Sequence, residues 1–179
     1  YTVLNPTRDY LYLHGGRLTA IEVLATVTDA GALSLLGLRG LRRGAAWWLV
    51  LALAAATGLV TIALIRDPHI DVWALLQQSS TGVLHGDDMY RQHWMHSTGL
   101  QNVYPYLPGT TLVLAPFRWL LGDVRFGLLT ASLLAAWLLQ RYGAEDAPPA
   151  LAALVVVMPD WVYLINRSWT EPLLVAALA

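Results

Sequence analysis

The sequence predicts an all-α integral membrane protein, a polytopic helix bundle with an external loop that carries helices lying at the membrane surface. Three observations predict it. Hydrophobic residues make up 56% of the 179-residue chain and charged residues 13%, against about 25% charged in an ordinary soluble domain. Mean hydropathy is positive, at +0.50. The missing charge is also concentrated: Ala45–Ile65, about 21 residues, contains no ionisable group. At about 1.5 Å per residue such a helix covers the hydrocarbon core of a bilayer, and a soluble core helix of that length without a polar face would be unusual.

The elements follow in chain order. Residues 1–44 form an N-terminal segment that includes a first candidate span, Leu18–Leu38. It carries Glu22 and Asp29, and carboxylates inside a span face protein or water rather than lipid. A surface helix lying flat is the alternative. Arg39, Arg42 and Arg43 fill the short turn before Ala45, which marks that turn as cytoplasmic. Ala45–Ile65 then runs outward and residues 67–108 form an external loop. Thr110–Leu121 contains Pro116 and Arg118 and is too short to span, so it reads as an interfacial or re-entrant helix. Phe126–Gln140 crosses inward, Arg141 lands on the cytoplasmic side, and Gly143–Pro149 is a turn. Ala150–Ile165 crosses outward again and 166–171 emerges outside. The apolar run Pro172–Ala179 is too short to span by itself, so the expectation is a fragment of a longer polypeptide.

Composition also excludes some chemistry. A net charge of −1 and the lack of an arginine-rich run leave no footprint for nucleic acid. With no cysteine, disulfides and thiolate metal sites are ruled out.

The external loop is the most informative stretch. Asp67-Pro68 offers an N-cap and a proline for the first helical position, so a helix is expected over Pro68–Ser80, broken by Gly82 and Gly86. Trp73 suits the interfacial belt. Asp71 falls in the first turn, where it either complements the helix dipole, worth about 0.3–1 kcal/mol, or serves as a catalytic carboxylate just outside the bilayer. His85, Asp87, Asp88, His93 and His96 have the residue types of a divalent-cation or zinc site but no tight ligand spacing. In Tyr104-Pro105-Tyr106-Leu107-Pro108-Gly109 each proline biases its predecessor away from helix, so the run reads as extended or turn-like. Tyr104 and Tyr106 either line a groove or anchor at the interface. In the turn Asn166-Arg167-Ser168-Trp169-Thr170-Glu171-Pro172, Arg167 either pairs with a lipid phosphate or snorkels to the headgroups.

The order of these features resembles the N-terminal part of GT-C fold glycosyltransferases. The quoted features are a span followed by an acid soon after it (His69-Ile70-Asp71-Val72-Trp73), a Tyr-Pro-Tyr-Leu-Pro segment leading an interfacial helix, Leu121-Gly122-Asp123-Val124-Arg125 before a span, and Trp169-Thr170-Glu171-Pro172 after a span with an internal Pro159. The resemblance is greatest to the bacterial polyprenol-phosphate-mannose-dependent group of glycosyltransferase family 87, and it covers residues 45–179. It implies that Asp71 is the catalytic base. It also implies that Glu171 lines the cavity, and it matches Tyr104–Pro108 to the family's proline-rich segment. Tyr104, Tyr106, Trp169 and Arg167 are the further substrate-binding candidates, with Arg167 or an arginine elsewhere in the protein holding the leaving phosphate. The donor would be a polyprenyl-phosphate-linked mannose or other sugar, the acceptor a glycan or glycolipid, and the site the external face of a bacterial plasma membrane. A divalent cation is left open. A non-enzymatic transporter or lipid flippase is the alternative; it predicts charged residues near the bilayer midplane and paired repeats.

Overall fold

The computed structural model describes residues 16–37, 43–68, 70–91, 104–143, 149–158 and 161–179. These residues form eight α-helices and, among the described residues, no strand: α1 (Gly16–Gly37), α2 (Arg43–Leu64), α3 (Asp71–His85), α4 (Pro108–Leu121), α5 (Arg125–Tyr142), α6 (Pro149–Val157), α7 (Trp161–Arg167) and α8 (Glu171–Leu178). The all-α expectation holds for them. Among them, one helix is long and apolar enough to cross a membrane, over Ala45–Leu64; a second is counted if the bent pair α4 and α5 is taken as one broken span.

α5 is the hub. It packs against α2, α4, α6, α7 and α8, while α1 lies on α2 and α6, and α3 lies on α4. Two glycines let helices approach. A methyl group on Gly58 of α2 would sit 2.6 Å from Leu129 Cδ1 on α5, and one on Gly127 of α5 would sit 2.6 Å from Leu114 Cδ2 and 2.9 Å from the Phe117 ring on α4. Neither place admits a side chain without moving its neighbour.

Several expected boundaries move. α3 starts at Asp71 rather than Pro68, with Ile70 as its extended N-cap residue. It also runs past Gly82, which is buried inside the helix, and stops at Gly86. Gly86 is left-handed (φ 78°), with Gly86 N donating to Val83 O and Asp87 N to Gly82 O, the double closure of a Schellman end. α4 begins at Pro108, two residues before the expected start, so Pro108 and Gly109 are helical, with proline at the first position. Pro116 is accommodated inside the helix.

The expected span Ala150–Ile165 is two helices, α6 and α7, of 9 and 7 residues. Between them in the sequence stand Pro159 and Asp160, residues an apolar count passes over. Both lie outside the described residues. α4 ends at Gly122 (φ 84°), whose left-handed backbone turns the chain so that α4 and α5 meet at 116°. α4 does not continue the line of α5.

The core is mostly apolar but has polar side chains set into it, and many large apolar side chains face outward. Inside are Thr28, Thr57, Thr61, Ser79, Ser80, Thr111, Asp123, Arg125, Ser132, Asn166 and Ser168. Facing out are large apolar side chains. On α4 the contrast is sharpest: Thr111 is 0% exposed while Leu120 is 82% exposed, with Leu112, Val113 and Leu121 also exposed. The same holds for Val23 and Val27 on α1, Trp48, Leu49 and Leu59 on α2, Leu151 and Leu154 on α6, and Leu174 and Leu178 on α8.

Candidate functional site

The polar connections converge at one end of the bundle, where α2 ends, α5 begins, α7 ends and α8 begins. Asp71 is the first residue of α3 and is exposed, its Oδ1 accepting the backbone N–H of Val72 at 2.9 Å. The carboxylate therefore occupies the helix N-terminus, which favours negative charge there. Glu171 is the first residue of α8 and is also exposed. The charges of both acids act on Tyr106. Burial, then the charges of Asp71, Tyr104 and Glu171, push the Tyr106 phenol up to about 12. It stays protonated and able to donate.

Tyr106 belongs to a comb of three rings. Tyr104 packs edge-on between Tyr90 (5.7 Å between centroids) and Tyr106 (5.6 Å), and the Tyr90 hydroxyl donates to Tyr106 O at 3.0 Å. Tyr104 itself is buried, and its pKa is raised chiefly by that burial. Its hydroxyl bonds the Thr111 hydroxyl, which donates to Ser79 Oγ at 3.2 Å, and Ser79 in turn donates to Leu76 O at 3.1 Å. This chain of hydroxyls fixes the extended segment 104–107 against α3 and α4. Tyr104 is a support; Tyr106 is the ring on which the charges of both acids act.

At the start of α5, within the Leu121–Arg125 motif, lies a buried ion pair, Asp123 with Arg125. The Arg125 guanidinium is 0% exposed and grips Asp123, with Nη2 to Oδ2 at 2.6 Å and Nε to Oδ2 at 3.0 Å. Asp123 Oδ1 also accepts the Arg125 backbone N–H at 2.9 Å and the Trp73 indole N–H at 3.3 Å. Arg125 Nη2 donates to Ile65 O at 2.6 Å, and Nη1 donates to Asn166 Oδ1 at 3.5 Å. The guanidinium lies 5.8 Å from the centre of the Trp73 ring. An arginine flanking an apolar run reads as a surface or loop residue. Besides Asp123, two positions before it, the partners of Arg125 lie 60, 52 and 41 positions away in the chain (65, 73 and 166 against 125), which local sequence does not reveal.

Arg118 and Gln77 close the same end. Arg118 donates to Thr81 Oγ1 (3.0 Å) and Gly122 O (2.7 Å); Gln77 donates to Gly122 O (3.2 Å) and accepts from Val124 N (2.9 Å). Trp119 donates to Ser80 O at 2.8 Å.

The 166–171 turn is compact. Arg167 lies with its guanidinium 5.0 Å from the centre of the Tyr163 ring, which packs edge-on against Trp169 at 5.4 Å. Ser168 is buried with φ 58°, a left-handed conformation rare outside glycine.

The other polar residues of the loop make contacts of their own. His85 contacts Thr81 O, Asp88 pairs with Arg91 and accepts from Tyr90 N, and no group of three metal-ligating residue types exists among the described residues. His93 and His96 lie outside those residues, as do His69 and Arg39 and Arg42 of the basic turn. Asp29 is half-buried in α1 beside Thr28, whose hydroxyl meets Thr57 of α2 at 2.7 Å. Comparison with protein-family models, curated proteins and solved structures found no match to this chain.

Proposed function

We propose that the chain belongs to a polytopic membrane glycosyltransferase of the GT-C kind, working at the external face of the membrane on a polyprenyl-phosphate-linked sugar. The observation that carries the reading is a pair of exposed carboxylates, Asp71 and Glu171, each at a helix start, whose charges both act on the protonated Tyr106 phenol. A hydrogen-bonding mouth of this kind, with both acids and an aromatic comb, suits a hydroxylated ring. The membrane part of the reading is supported by the apolar Ala45–Leu64 helix and by the many large apolar side chains on the outer surface, with hydroxyls, an amide and an ion pair bonded inside. That arrangement suits a hydrocarbon surround, where polar groups must be satisfied internally.

In the proposed reaction an acceptor hydroxyl attacks C1 of the sugar. A new bond forms from that oxygen to C1 as the bond from C1 to the phosphate oxygen breaks, with inversion at C1. Asp71 accepts the hydroxyl proton, and the polyprenyl phosphate leaves with the bonding pair. Arg167 balances the phosphate charge, while Tyr106 and Glu171 hold sugar or acceptor hydroxyls. A base in this role contributes about 10²–10⁴-fold. The test is transfer of labelled sugar from a polyprenyl phosphate to a membrane acceptor by the full-length protein. Asp71→Asn is expected to lower the rate by at least about 100-fold; transfer at the parent rate would overturn the assignment.

A further inference from the structure

Asp123 and Arg125 connect the start of α5 to α3 through Trp73, to the end of α2 through Ile65 and to α7 through Asn166, and stability alone is a poor reason for them to be there. A buried ion pair recovers little more than the cost of taking its charges out of water, so apolar residues of similar volume serve a core as well or better. What such a pair supplies is geometry. The Asp123 carboxylate holds three donors from Arg125, two of the guanidinium and the backbone N–H, and one from Trp73, only two residues after Asp71 on α3. The planar guanidinium has donors in fixed directions, and these reach Asp123, the last carbonyl of the α2 end (Ile65) and Asn166, five residues before Glu171. Asn166 is itself 1% exposed, and its amide is oriented so that oxygen faces Arg125; the reverse orientation would set donor against donor.

We propose that Asp123 and Arg125 are positioning residues that set the spacing between Asp71 and Glu171, with Trp73 as the arm to α3 and Asn166 as the arm to the α7–α8 turn. The proposal rests on the reading of Asp71 and Glu171 as the site. The two arms differ in strength. The Trp73 bond to Asp123 is 3.3 Å and reinforced by the guanidinium beside the ring, while the Asn166 bond is 3.5 Å.

The test reads the spacing directly and needs no substrate. In the full-length protein with Asp71→Cys and Glu171→Cys as its only two cysteines, spin labels at these positions are expected to give one narrow distance distribution by pulsed electron resonance. Arg125→Lys keeps the charge but loses the fork, and Trp73→Phe keeps the ring but loses the N–H. Both are expected to broaden or shift the distribution, Arg125→Lys more than Trp73→Phe. An unchanged distribution in both, whatever happens to the melting temperature, would overturn the proposal. Should Arg125→Lys not fold, Trp73→Phe decides alone. In the enzyme with native acids, Trp73→Phe is expected to cut kcat about tenfold with KM for the lipid-linked donor unchanged. Absence of transfer from the parent protein itself would count against the glycosyltransferase reading and leave the distance result standing.

Discussion

Two helix pairs in this molecule are held by different forces. α1 and α2 meet through small and apolar residues with one buried hydrogen bond between them, Thr28 to Thr57. Each of those threonines also bonds a carbonyl of its own helix, Leu24 O and Leu53 O. α3 and α4 meet through a ladder of polar bonds: Ser79 with Thr111, Thr81 with Arg118, Ser80 with Trp119, and Gln77 with the turn at Gly122. The first pair needs contact and little direction. The second fixes one orientation, which is what a site built on the start of α3 requires. Where the chain must hold side chains to a tight tolerance it uses directional bonds, and where it need only fill space it uses methyl groups.

Removing one member of the buried ion pair should be the most damaging change. Arg125→Leu leaves the Asp123 carboxylate buried without its partner, and unfolding in detergent should show a loss of about 3–5 kcal/mol. Replacing both, Asp123→Leu with Arg125→Leu, should recover most of that loss while leaving the Asp71–Glu171 spacing broad. Recovery of stability together with the narrow spacing would mean that the pair does not position the acids.

Close approach of helices ranks next. Gly127→Val puts branches against Leu114 and Phe117, and should cost about 1–3 kcal/mol. The expected outcome is a melting temperature lowered with the α1–α2 contact intact, as read by crosslinking of that pair.

The hydroxyl chains distinguish the two pairs most cleanly. Thr111→Val cuts the link between Tyr104 and Ser79 and should cost about 1–2 kcal/mol. Thr57→Val should cost about 0.5 kcal/mol, because Thr28 keeps its bond to Leu24 O. Equal losses in the two variants would erase the contrast between the pairs.

The most local effect is a titration. Tyr106 titrates near 12 in the folded protein, above its ordinary 10.0. A raised folded value favours the protonated phenol, so its contribution to stability is complete below about pH 10 and is lost as pH rises toward 12. Asp71→Asn and Glu171→Gln should each lower that titration, and Tyr106→Phe should abolish it, as read by phenolate ultraviolet absorbance. A Tyr106 titration unmoved by either acid variant would mean that the acids do not face the ring.

Much of the helical order was legible because apolar length is a strong signal: Ala45–Ile65 and Phe126–Gln140 correspond to α2 and α5 within a few residues. Starts and breaks were less legible. Asp67-Pro68 carries every local mark of a helix start, yet the helix waits until Asp71. The window Ala150–Ile165 looked continuous because an apolar count gives Pro159 little weight. Of the site, Asp71, Tyr106 and Glu171 could be named from motif order. The Asp123–Arg125 pair stands in the Leu121–Arg125 motif, but its burial could not be read there, since it also depends on partners far along the chain.

The most direct measurement is a structure of the full-length protein in a lipid environment with a polyprenyl-phosphate sugar bound. The account predicts the sugar between Asp71, Tyr106 and Glu171, its phosphate toward Arg167 and its isoprenoid tail along the exposed apolar faces. A lipid-linked sugar seated elsewhere, with Asp71 facing bulk water and away from C1, would contradict it.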